Sequence, residues 1–181
     1  MQPPAPEKTF DRQGVRFRYP AHWQLEEERA DEEQWCVTLQ SPGTGFISLT
    51  VLPLRQNRFE LLRQALSVFE AEYAEIDAYQ VEDEIASLPA VGHDLNFFCL
   101  DLTNTAYLRV FNSPTRSFFL MAQCTDAELE EFELVYRSVL KSLTIEDDPD
   151  GTDWLFTGRT GVNPMIPEVG GDPLAEDVDD W

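Results

Sequence analysis

The sequence predicts an α+β domain in which a central antiparallel sheet of about six strands is covered by two helices, as an α/β/α sandwich. Three observations carry this. Short segments with period-two alternation are joined by short, turn-rich connections, which makes neighbouring strands antiparallel. Two longer segments, 58–77 and 126–142, switch to a period near 3.6. Finally, Leu95-Asn96-Phe97-Phe98-Cys99-Leu100 and Phe118-Phe119-Leu120-Met121-Ala122 are apolar on both faces, as central strands are when both sides of a sheet are covered.

Taken in order, Val15, Phe17 and Tyr19 alternate with Arg16 and Arg18 until Pro20 ends the strand. The acidic run from Glu26 to Glu33 reads as a solvated loop or a sheet edge. In Gln34 to Gln40 the side chains of Trp35, Val37 and Leu39 share a face. Ser41-Pro42-Gly43-Thr44-Gly45 supplies turn residues, and Phe46 to Leu54 completes a hairpin. Asn57 followed by Glu60 has the form of a capping box, and Leu62, Leu66, Phe69, Tyr73 and Ile76 mark one helical face over Arg58 to Asp77. At about 1.5 to 3 kcal/mol each, those five side chains contribute several kcal/mol on burial. Four further strands follow, Tyr79 to Ala86, His93 to Asp101, Tyr107 to Asn112 and Ser117 to Gln123. Their expected turns are Ser87-Leu88-Pro89, Thr103-Asn104-Thr105 and Ser113-Pro114-Thr115. A second capping box, Thr125 with Glu128, opens a helix to Ser142 that carries Leu129, Phe132, Tyr136, Val139 and Leu143 on one face.

A chain of 181 residues suits one domain with an appendage, and 43% hydrophobic residues with twelve Phe and four Trp supply its core. Residues 1–8 are Pro-rich and expected to be loose, 9–145 form the α+β domain, and 146–181 form an acidic, aromatic-containing tail. The formal charge is −21, shared as −11 over residues 1–145 and −10 over the tail. Such a field repels phosphate backbones and anionic membranes, so nucleic acid is not an expected partner; basic proteins or cations are attracted. Met1 to Glu7 lacks the pattern of a secretory signal, and no apolar run approaches the ~18 residues of a membrane span, so a cytoplasmic location is expected. Cys36, Cys99 and Cys124 are isolated in apolar runs and odd in number, which suits reduced, buried thiols.

Little in the sequence points to catalysis. His22 and His93 are too few and too far from any Cys-x-x-Cys or His-x-x-x-His spacing for a zinc site, and no phosphate loop, nucleophile elbow or dinucleotide fingerprint is present. The acidic runs lack a calcium-loop pattern. No metal or cofactor is therefore expected. His93 beside Asp94 is the one pair that could orient an imidazole, although strand neighbours face opposite ways. Arg16, Arg18 and Arg109 are strand residues that could form a basic spot on an acidic body. The tail carries Trp154, Leu155, Phe156 and the terminal Trp181 as candidate partner-binding residues. They could strap back over their own domain, dock on another protein, or simply solubilise.

Gly14-Val15-Arg16-Phe17-Arg18-Tyr19-Pro20-Ala21-His22-Trp23, the order of elements, and a closing helix ending Ser138-Val139-Leu140-Lys141-Ser142-Leu143 together resemble the PsbP-like superfamily over Phe10 to Ile145. The resemblance implies an antiparallel sheet between helices. Relatives include an extrinsic subunit of photosystem II, a factor that binds the Ran GTPase, and bacterial chaperones that hold secretion effectors. It therefore implies scaffolding and binding roles and supplies no active site; the acidic tail is outside the family pattern. The expected function is a non-catalytic protein-binding module, adaptor or chaperone-like, whose partner is another protein. The alternative is a small-ligand or cation-binding domain with a pocket between sheet and helix, and an enzyme built around His93 and Asp94 ranks last.

Overall fold

The alternation at Val15 to Pro20 builds a small sheet rather than joining the large one. The computed structural model describes residues 6–31 and 33–147; the expectations for Trp154, Leu155, Phe156 and Trp181 lie outside them. Strand β1 (Glu7–Arg12) pairs with β2 (Val15–Pro20), and β2 pairs on its other side with β10 (Thr144–Ile145), all antiparallel. Gln13 and Gly14 turn this hairpin with φ of 46° and 76°, the positive pair a type I′ turn requires. A Cβ on Gly14 would lie 1.9 Å from the Glu146 carbonyl oxygen, whose own N–H donates to Gly14 O at 2.8 Å. That glycine thus lets the two ends of the domain meet.

The large sheet comprises β3 (Gln24–Arg29), β4 (Trp35–Gln40), β5 (Phe46–Leu52), β6 (Ile76–Ile85), β7 (Leu88–Cys99), β8 (Leu102–Asn112) and β9 (Ser117–Thr125). Their order is β3-β4-β5-β9-β8-β7-β6, antiparallel throughout. Helix α1 (Arg58–Glu72) makes the crossover from β5 to the far edge at β6 and lies over β7 and β8. Helix α2 (Leu129–Ser142) follows a single 3-10 turn, Asp126–Glu128, and packs with β2 against the other face. Two apolar cores result. One joins Phe10, Phe17, Trp35, Phe111, Phe118, Phe132 and Tyr136 between the two sheets and α2. The other joins Leu62 and Phe69 of α1 to Leu95, Phe97, Leu108 and Val110.

The α+β architecture with two helices and antiparallel sheets is as the sequence predicts, but the six-strand count is corrected to seven strands plus a separate three-stranded sheet. Strands β1 and β10 were not expected, and of the two readings of the acidic run β3 takes the sheet edge. In Glu7–Arg12 only Phe10 is buried, and Gln24–Arg29 is an edge strand with one half-buried residue, so neither shows an apolar alternation. Thr103-Asn104-Thr105, expected as a turn, lies within β8; the chain reverses instead at Leu100-Asp101, with φ of 52° and 62°. Likewise Ala86-Ser87, at 51° and 61°, makes the turn assigned to Ser87-Leu88-Pro89. Type I′ turns are signalled most strongly by Asn-Gly, Asp-Gly or Gly-Gly pairs, and neither position carries one. Helix α1 also ends at Glu72 rather than Asp77, because Tyr73 turns extended and Ile76 enters β6. The Asn57 cap forms, its Oδ1 accepting from the N–H groups of Phe59 (3.0 Å) and Glu60 (3.3 Å). Glu60 itself turns to Arg63 and Gln64, which holds its carboxyl down at about 2. Thr125 makes no cap contact. Glu128 instead accepts from the Thr44 N–H and hydroxyl, the latter at 2.7 Å, tying α2 to the β4–β5 hairpin.

Candidate functional site

Side chains alternate across a sheet, so each strand of the large sheet shows one set of residues to α2 and another to the α1 side. On the α2 side Val37, Leu39, Ile47, Leu49, Val51, Phe118, Leu120 and Ala122 are all buried. The α1 side is different. Under α1 it is apolar and sealed over β7 and β8, but on β9 Phe119, Met121 and Gln123 are only half-buried. An open groove of about 400 Å³ runs between these residues and Ala65, Val68, Phe69 and Tyr73 of α1. Val68 is 66% exposed.

Farther across the same face the floor turns polar. Ser48 and Thr50 stand in register with Met121 and Phe119, and Thr38 and Cys36 stand beside them. Their side chains satisfy one another: Thr38 donates to Ser48 at 3.2 Å, and Cys36 Sγ lies 3.1 Å from Ser48 Oγ. Beyond them Glu26 and Glu28 of β3, in register with Thr38 and Cys36, are exposed. The bare floor from β9 to β3 spans three strand spacings of ~4.8 Å, about 15 Å. In the other direction Tyr73 packs on Phe97 with ring centroids 4.2 Å apart. The β7–β8 hairpin then ends in Phe98, Leu100 and Leu102, all exposed, with Leu100 90% exposed and at positive φ.

A second concavity of about 470 Å³ lies on the opposite face, where α2 diverges from β6, β7 and β8. Its floor is Arg109, 6% exposed inside the apolar run Ala106 to Phe111. The guanidinium is held from several sides. Nε donates to Asp83 at 3.3 Å, Nη2 lies 2.7 Å from Asp94 Oδ1, and Nη1 donates to the carbonyls of Leu108 (3.0 Å) and His93 (3.2 Å). This needs Gly92 opposite, since a Cβ there would come within 2.6 Å of Arg109 Cδ and 2.2 Å of Leu108 O. Tyr107 donates to Glu133 of α2 at 2.5 Å and stacks on Tyr136 at 5.0 Å. Burial pushes both phenols far above their ordinary value. Tyr136 is itself 6% exposed, and its hydroxyl has no partner among the described residues.

The structure does not bring Arg16, Arg18 and Arg109 together. Arg16 and Arg18 lie on the wet face of β2, paired with Asp11 and Glu7 of β1, whereas Arg109 belongs to the other sheet. His93 and Asp94 face opposite sides, His93 towards α1 and Asp94 towards Arg109. His22 is exposed beside Trp23. The three cysteines are free, and burial raises the Cys124 thiol to about 12. No His, Cys, Asp and Glu cluster suited to a metal occurs among the described residues, nor any helix long and apolar enough to cross a membrane. Asp83 and Glu133 were not singled out in the sequence, and Tyr136, Phe119 and Met121 were named there only as apolar positions of a helix and a central strand. The one signal for the cleft was a charge inside the apolar run Tyr107 to Phe111.

No family model and no curated protein matches the chain in sequence. Solved structures do match in shape. Cyanobacterial PsbP (CyanoP) from Synechocystis sp. PCC 6803 superposes with a TM-score of 0.54 at 10% identity, over 78% of this chain and 94% of that one. The fold is PsbP-like. PA94 from Pseudomonas aeruginosa, a protein of unknown function, superposes with a TM-score of 0.50 at 11% identity over 77% and 97% of the two chains. LpqN from Mycobacterium tuberculosis, involved in cell envelope biogenesis, gives 0.49 at 13% identity over 77% and 90%. At these identities the PsbP-like likeness concerns the fold alone.

Proposed function

We propose that this chain is a non-catalytic protein-binding module, adaptor or chaperone-like, that receives a partner helix on the open part of its sheet. The observation that carries the reading is that the described residues leave the α1 side incompletely covered. The bare floor is about 15 Å across, and a helix of ~10–12 Å diameter fits it. Its surface grades from apolar (Val68, Phe119, Met121) through hydroxyl and thiol (Ser48, Thr50, Cys36, Thr38) to acidic (Glu26, Glu28). The complementary ligand is an amphipathic helix whose apolar stripe is bordered by Lys or Arg, as helix-in-groove recognition uses. A net charge of −21 favours such a partner and steers its approach. Trp154, Leu155, Phe156 and Trp181 of the acidic tail act in this reading as an accessory docking peptide, and the free thiols suit the reducing cytoplasm.

The test is fluorescence anisotropy on the full chain with a labelled Leu/Lys amphipathic helix of about 18 residues, beside a Leu/Glu counterpart and a scrambled Leu/Lys peptide. The Leu/Lys helix binds saturably and the Leu/Glu helix does not. Met121→Asp or Val68→Asp weakens binding at least about tenfold, and Trp154→Ala with Phe156→Ala weakens it less. Equal binding of the scrambled peptide, or indifference to Met121→Asp, rejects the groove as the docking site.

A further inference from the structure

We infer that the Arg109 cleft, on the opposite face from the docking groove, is a binding site for a primary ammonium group. Its charges decide this. The guanidinium of Arg109 is matched twice, by Asp83 and by Asp94, and both its Nη1 and Nε donors are already engaged. An anion entering the cleft therefore meets no free cation on the floor, but two carboxylates whose joint charge exceeds that of the arginine between them. Glu133 adds a third, held in place by Tyr107. Glu133 is in turn paired with Arg137 at 3.2 Å, and Lys141 and Glu84 both line the mouth, so the cleft as a whole keeps one negative charge in excess.

The second observation is Tyr136. Its ring is fixed between Tyr107 and Phe132, at 5.0 and 6.4 Å, so its hydroxyl cannot turn away. That hydroxyl is buried and lacks a partner among the described residues, and Tyr136 lines the cleft. Leaving such a group unsatisfied costs about 1–3 kcal/mol. An ammonium group carries three donors and no acceptor. It can donate to Asp94, to a second carboxylate of the cleft and to the Tyr136 oxygen at once, with the stacked tyrosines beside it. A hydroxyl ligand of equal size supplies one donor and none of the charge.

The ammonium could belong to a free small amine or to a lysine side chain of a protein. Isothermal titration of the full chain with cadaverine, with Nα-acetyl-lysine methylamide and with the neutral isostere pentane-1,5-diol separates these. The expected result is saturable binding of one amine per chain and no binding of the diol. Tyr136→Phe, which keeps the ring stack, and Asp94→Asn each weaken it roughly ten- to hundredfold, whereas Glu130→Gln on the exposed side of α2 leaves it unchanged. Tighter binding of cadaverine assigns a free amine; equal or tighter binding of the blocked lysine assigns a protein side chain. Binding that does not saturate at one amine per chain, or that Glu130→Gln weakens as much as Tyr136→Phe, overturns the site in favour of general attraction to an acidic protein. So does the absence of heat with either amine. Melting temperatures of the variants separate loss of the site from loss of the fold, and Tyr136→Phe carries the test if Asp94→Asn does not fold.

Discussion

The two faces of the seven-stranded sheet are made by the same strands and finished in opposite ways. Towards α2 and the small sheet, Phe111 and Phe118 are fully buried and stacked at 5.1 Å. Trp23, Phe132, Tyr136 and Tyr107 continue as a series of rings 5.0 to 6.4 Å apart. Towards α1, one 15-residue helix lies chiefly over β7 and β8, and towards the β3 edge the residues change to Phe119, Met121, Ser48, Thr38 and Cys36, half-buried and in part hydrogen-bonded to one another. The difference shows that alternation sets which residues share a face, while the number of elements laid on a face sets how much of it is a core. A surface with one helix too few is a place where a partner can supply the missing layer.

The sharpest way to break this comparison is to cut the same residue type from both faces. Phe118→Ala, on the sealed side, costs about 3–5 kcal/mol in urea unfolding, and Phe119→Ala, its neighbour on the open side, costs about 1. Equal losses mean that the α1 side is covered. Gly92→Ala drives a methyl into Leu108 O and Arg109 and costs about 3 kcal/mol, with the loss read in the same unfolding curves.

A third test uses pH. The Cys124 thiol is raised from its ordinary value of 9.0 to about 12 by burial on the sealed face. Its neutral form is favoured by folding, so this stability is fully present below pH 9 and is lost as pH rises towards 12. Between pH 9 and 11 thermal unfolding should show a loss of roughly 1–2 kcal/mol that Cys124→Ala removes. Tyr107 and Tyr136, raised in the same direction, ionise only on unfolding, which phenolate absorbance reports. A smaller effect of opposite sign is expected at the edge: Ala86→Asn with Ser87→Gly supplies the residues that a type I′ turn prefers and stabilises by about 1 kcal/mol. Smallest is Tyr136→Phe, which removes an unpartnered buried hydroxyl and leaves stability unchanged or raises it by up to about 1 kcal/mol.

Much of the fold was legible because the signals are local. Val37 and Leu39, Leu62 and Phe69, and Phe132, Tyr136 and Val139 lie where their spacing placed them, since a period is a property of consecutive residues. The misread turns fail for an equally local reason: Leu100-Asp101 and Ala86-Ser87 adopt positive φ without the residues that announce it, so the composition of Thr103-Asn104-Thr105 drew the turn instead. Strand β1 was missed, and β3 was left open between a loop and a sheet edge, because edge positions bury too little to leave a pattern.

The candidate sites were hardly legible. Arg109 stood out as a charge in an apolar run, but nothing in the sequence couples it to Asp83 and Asp94, which reach it across two strand pairings, or brings Glu133 of α2 to the same cleft. By itself the sequence determined the α+β class, the two helices, the alternation of strands such as β2 and β4 and the acidity of the whole. Tertiary structure decided the seven-stranded order, the separation of Arg16 and Arg18 from Arg109, and the width of floor that α1 leaves bare. Each of those depends on which distant segments pair and where a crossover helix comes to rest, and that is fixed only when burial is shared among the elements together.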